Sequence, residues 1–136
     1  YGVEGAGDRP ILDLHDAAVA AVPDSHLAFL GNLRTTYLRG GALFVHAGLR
    51  PGVPLAEQRE DDLLWIRRAF HDDRSDHGAL VVHGHTPVSE VTHYGNRLNI
   101  DIGAGYGQDL AVVVIDEGAV WQLGQRGRLP IRYDGR

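Results

Sequence analysis

Two short apolar runs, each closing on a histidine beside glycine, constrain this chain more than any other feature: Leu43-Phe44-Val45-His46-Ala47-Gly48 and Ala79-Leu80-Val81-Val82-His83-Gly84-His85. The second run, bounded by Gly78 and Gly84, has the pattern of a buried strand with other layers on both faces. That requirement points to an α/β fold. In such folds ligands sit in the crevice at the strand ends, so His46 and His85 stand out among the eight histidines. His15, His26, His71, His77 and His93 lie in polar or helical contexts without a paired ligand and read as ordinary surface or capping residues.

The rest of the chain supplies the layers. Ile11 to Val22 carries apolar residues at helical spacing and stops at Pro23. Asp24 or Ser25 can cap a second helix from His26 to Leu33, whose Leu27, Leu30 and Leu33 face is expected in the core. Thr35 to Arg39 and Ala42 to His46 read as a hairpin turned by Gly40-Gly41. Ala47 to Gln58, with its prolines and glycines, reads as a loop. A third helix is expected over Glu60 to Phe70, with Glu60-Asp61-Asp62 at its favourable end and Arg67 and Arg68 near the other. Two further hairpins follow, Glu90–Tyr94 with Arg97–Asp101 and Leu110–Ile115 with Ala119–Leu123. The expected layout is thus helices in the first half and a β-rich second half, forming a single domain over 1–136 with a loose tail over 124–136.

Composition sets the limits. With 43% hydrophobic and 23% charged residues the chain is globular in type, and no apolar run approaches the roughly 20 residues that span a bilayer. A net charge of −5 argues against a nucleic-acid duplex as partner. Cysteine is absent, so a metal must be held by His, Asp, Glu or Asn. All 13 basic residues are arginine and there is no methionine, even at Tyr1. These features, with no basic and apolar leader, lead to an expectation of a cytoplasmic protein of which this is a processed chain or a portion.

Four blocks in order carry a resemblance: Phe44-Val45-His46-Ala47-Gly48-Leu49-Arg50-Pro51-Gly52, Asp62-Leu63-Leu64-Trp65-Ile66-Arg67, Val82-His83-Gly84-His85-Thr86-Pro87 and Asn99-Ile100-Asp101-Ile102-Gly103-Ala104. Together they resemble the C-terminal half of calcineurin-like metallophosphoesterases, most closely the bacterial serine/threonine phosphatase and diadenosine tetraphosphatase branch. The resemblance covers roughly His26 to Leu123. It implies the C-terminal part of an α/β sandwich and two divalent ions, Mn, Fe or Zn. It also implies that His46 and His85 bind one metal and that Arg67 contacts the substrate phosphate, a role suited to a guanidinium fork. The alternative for Arg67 is a helix C-terminal cation balancing the dipole. His83, Asp101 and Tyr106 are candidates for support around the metal ligands. No catalytic residue is assigned.

The upstream blocks of that family, Gly-Asp-x-His, Gly-Asp-x-x-Asp-Arg and Gly-Asn-His, have no counterpart here. Asp13-Leu14-His15 and Gly31-Asn32 imitate parts of them, but Asp13 falls in a helical pattern and Asn32 is followed by Leu33. Two histidines cannot complete shells that need about four to six ligands each. The chain therefore reads as half of a site, with the N-terminal half of the domain as its missing partner. The expected function is a metal-dependent phosphatase acting on phosphoprotein or a small phosphorylated molecule. Alternatives are a diadenosine tetraphosphate hydrolase, a non-catalytic binding or scaffold module on the same fold, and a single-metal site using His46, His85 and Asp101.

Overall fold

The computed structural model describes residues 1–5 and 7–133. It is mixed α/β, helices first and two sheets after, and it divides into two compact units, Tyr1–Arg34 and Thr35–Arg136. No helix among the described residues is long and apolar enough to cross a membrane.

The first unit is a pair of helices, α1 (Ile11–Ala21) and α2 (Asp24–Gly31), each entered from a proline, Pro10 and Pro23. Proline suits a helix start because the first N–H groups have no intrahelical partner. Neither Asp24 nor Ser25 acts as a side-chain cap; Pro23 holds that position. The expected core face also fails to form, since Leu27, Leu30 and Leu33 are half-exposed and neither helix has a buried residue. Two short helices have no third layer within the unit to bury such a face. Asp13 lies inside α1, His15 pairs with Asp16 at 3.1 Å on the surface, and the Asn32 amide donates to the Ala28 carbonyl at 2.7 Å. All three serve local structure.

The second unit holds a five-stranded sheet in the order β1-β2-β3-β5-β4: β1 (Thr36–Arg39), β2 (Ala42–Val45), β3 (Leu80–His83), β4 (Thr92–His93) and β5 (Arg97–Asn99). β1 and β2 form the expected hairpin, while β2, β3 and β5 run parallel. Strand alternation sends Leu43, Val45 and Val81 to one side, where they pack with Leu49, Leu63, Ile66 and Phe70. Ala42, Val82 and Leu98 go to the other side and meet Val120 and Ile131 of the second sheet. The buried runs are covered on both faces, as their composition requires.

The helix expected over Glu60 to Phe70 is broken into α3 (Glu60–Trp65) and α4 (Arg68–His71). In a continuous helix the Leu63 carbonyl would accept from the Arg67 amide; here it accepts from the Ala47 amide at 2.8 Å. Arg67 sits in the break with φ −129° and ψ −104°. The break lets Ile66 and Phe70 both reach the core. Gly48 admits this packing, because a Cβ there would overlap the Phe70 ring.

The second sheet is an antiparallel meander, β6 (Val113–Asp116), β7 (Ala119–Gly124) and β8 (Gly127–Ile131). The stretch expected as a loose tail over 124–136 is therefore a paired strand as far as Ile131, turned at Gln125-Arg126 with Gly127 at φ 108°. Its arginines and Pro130 hide the strand pattern, but Ile131 reaches the core between the sheets. Residues 134–136 of that expected tail lie outside the described residues.

Candidate metal and phosphate site

Because β2, β3 and β5 are parallel and adjacent, their C-terminal ends deliver His46, His85 and Asp101 to the same edge of the sheet. His46 Nε2 and His85 Nδ1 stand 3.2 Å apart. The backbone fastens the two loops together, with the Gly84 amide donating to the His46 carbonyl at 2.9 Å. His85 adopts a left-handed φ of 68°, a conformation that costs energy in a side-chain-bearing residue and concentrates at functional positions. Its Nε2 is buried with no hydrogen-bond partner among the described residues.

Trp65, at the end of α3, sets its ring edge-on to His85 with centroids 5.5 Å apart. Burial pushes the His85 pKa down, the nearby Arg67 and His46 push in the same direction, and Asp101 opposes them. The break after α3 thus leaves Arg67 exposed and close enough for its charge to act on both His85 and His71. Arg67 directly follows the C-cap of α3, Ile66, and precedes α4, so it stands just past a helix C-terminus as well as within electrostatic reach of His85.

Asp101 orders the neighbouring loop. Its Oδ1 accepts from the Gly103 amide at 2.9 Å and its carbonyl accepts from the Val88 amide at 2.9 Å. It also lies so close to Gly84 that a Cβ there would meet the Asp101 Cβ at 3.0 Å. Asn99 ties β5 to the His85 loop, its amide donating to the Thr86 carbonyl at 2.9 Å and its Oδ1 accepting from the Asp101 amide at 3.0 Å. A cavity of about 340 Å³ opens beside these residues, lined by His46, His85, Asp101 and apolar neighbours that include Phe44, Ile102 and Leu110. Tyr106 stands apart on a 3-10 turn, 83% exposed.

His83 takes a different environment from His85. The left-handed turn at His85 ends the strand alternation that would keep both rings on one face. The His83 ring is buried edge-on against Phe70, and burial with the nearby Arg97 charge pushes its pKa down to about 3. Arg97, buried in β5, comes within 3.3 Å of His83 Nε2 through Nη1. Trp65 and Asn99 stand in the sequence blocks that carry the resemblance but receive no role from it, and Arg97 lies outside them; the sequence signal for Arg97 and Asn99 is a charged and an amide residue flanking Leu98 in a strand with buried neighbours. Arg50 and Asp62 form a forked ion pair with contacts of 2.5 and 3.2 Å, linking the loop after Gly48 to α3.

The donor set can be tested against a metal. Two imidazole nitrogens bound to one tetrahedral ion at about 2.0–2.1 Å stand roughly 3.3 Å apart, close to the observed 3.2 Å. The pair fits one edge of a coordination shell. Among the described residues no group of three or more His, Asp or Glu side chains could hold an ion, so a complete site needs further donors. Compared with known proteins, the chain matches no family model and no curated protein.

Proposed function

We propose that this chain carries the His46–His85 edge of a metal centre in a phosphoester hydrolase of the serine/threonine phosphatase type. On this reading it forms the C-terminal part of a metallophosphoesterase sandwich. The observation that carries the proposal is the 3.2 Å approach of two histidine nitrogens at the ends of adjacent parallel strands. Residues of all four sequence blocks, among them His46, Trp65, His85 and Asp101, support the reading by standing at that edge, and Arg67, in no ion pair among the described residues, is within electrostatic reach of His85.

Divalent ions at such a site lower the pKa of bound water and neutralise charge on a transferring phosphoryl group. The chain's own contribution is to orient. His46 and His85 present nitrogens, Trp65 and the Gly84–His46 backbone bond hold the rings, and Arg67 offers a fork to phosphate oxygens. The remaining ligands come from polypeptide outside these residues, and the substrate is a phosphoprotein or a small phosphorylated molecule.

The first test is paramagnetic broadening by Mn²⁺ of the chain's imidazole resonances. The expected result is selective broadening at His46 and His85, abolished in His85→Ala. Broadening spread evenly over exposed His15 and His26 as well would sink the proposal. In a polypeptide that completes the ligand set, p-nitrophenyl phosphate hydrolysis should require Mn²⁺ and vanish in His46→Ala and His85→Ala.

A further inference from the structure

Arginine is rarely buried without a paired acid, because removing its charge from water is costly. Arg97 is 3% exposed, and among the described residues it forms no ion pair. It is held instead by neutral partners, the Phe70 ring at 5.7 Å among them. Nη2 donates to the His71 carbonyl at 2.9 Å, Nη1 faces His83 Nε2 at 3.3 Å, and the guanidinium carbon lies 3.6 Å from the centre of the Tyr94 ring.

The chemistry of the middle contact is one-directional. A guanidinium has donors and no acceptor, so His83 Nε2 must accept and the ring proton must sit on Nδ1. His83 Nδ1 lies 3.3 Å from the Gly84 carbonyl and can then donate to it. That carbonyl belongs to the peptide that leads into His85, the residue with the left-handed φ of 68°. On its other side the same Gly84 is pinned by its amide to His46 and by its close packing on Asp101.

We infer that Arg97 is a positioning residue: by fixing the Nδ1–H tautomer of His83 it orients the Gly84–His85 peptide and so aims the His85 ring at His46. This rests on the reading of His46 and His85 as a metal-binding pair, but its structural half does not. The remote arginine acts through two bonds, as groups behind metal-ligating histidines commonly do, where their loss costs about 10- to 100-fold in affinity.

The experiment uses the whole chain with ¹⁵N-labelled histidine. Long-range ¹H–¹⁵N spectra should show His83 as the Nδ1–H tautomer, and nuclear Overhauser contacts should join the Trp65 indole to the His85 ring. Arg97→Met should mix the His83 tautomers and weaken the Trp65–His85 contact, and Arg97→Lys, which keeps a donor, should restore the tautomer at least in part. Zn²⁺ affinity should fall about 10- to 100-fold in Arg97→Met. His83→Phe should cost a similar factor, with no added loss when combined with Arg97→Met. An Nε2–H tautomer in the native chain, or additive losses in the double variant, overturns the inference. A native chain with the expected tautomer and ring contact but no Zn²⁺ response at His46 and His85 removes the metal reading while leaving the positioning of His85 established.

Discussion

The amide of Ala47 donates to the carbonyl of Leu63 at 2.8 Å, joining the residue after one candidate ligand to the middle of α3. The bond takes that carbonyl from the helix, which ends at Trp65 and restarts at Arg68. One tertiary hydrogen bond thereby places Trp65 against His85 and leaves Arg67 in an exposed break within electrostatic reach of His85. Ile66 and Phe70, on either side of the break, stay in the core.

Gly48 is the tightest point of this arrangement. Its φ is 154°, and an added Cβ would overlap the Phe70 ring. Because Phe70 is fully buried and cannot give way without disturbing His83, Gly48→Ala should destabilise the second unit by about 1–3 kcal/mol through overpacking. Urea denaturation followed by tryptophan fluorescence checks this, and an unchanged midpoint would contradict the packing.

Arg67 should matter to chemistry and little to folding, since it is exposed and lies between helices. In a polypeptide with the completed ligand set, Arg67→Ala should remove about 2–4 kcal/mol of transition-state stabilisation, roughly 30- to 1000-fold in kcat/KM. Melting temperature should stay within a degree or two. Unchanged turnover would refute the phosphate-binding role.

Stability should fall in mild acid. His83 has its pKa pushed from 6.5 down to about 3 by burial, with the Arg97 charge adding to it. Below pH 6.5 the unfolded chain takes up a proton there that the folded chain refuses until near pH 3. The His83 contribution is therefore complete above pH 6.5 and is lost as the pH drops toward 3, about 2 kcal/mol of it by pH 5. His71 and His93 are shifted in the same direction by burial and steepen the loss. Denaturation midpoints at pH 7 and pH 5 measure it, and the difference should shrink in His83→Gln.

The sequence by itself determined the elements whose signal is local. The glycine-bounded apolar run became β3, Gly40-Gly41 turned the β1–β2 hairpin, and the helical spacing from Ile11 that stops at Pro23 became α1. It also marked His46 and His85, because a histidine at the end of a buried run is visible without a structure. Tertiary contact decided the rest. The break at Arg67 depends on the Ala47 amide, sixteen residues before Leu63, taking the Leu63 carbonyl, which no helical periodicity records. The strand at Gly127–Ile131 exists because Val120 pairs with Ile131, which packs partly buried against the core, against a local sequence of arginines and proline. The half-exposed leucines of α2 show the reverse case, an apolar face whose pattern was legible but whose burial needs a partner layer. Hydrogen bonds and burial between distant residues carry energies comparable to local propensity, so where the two conflict only the folded chain shows which prevails.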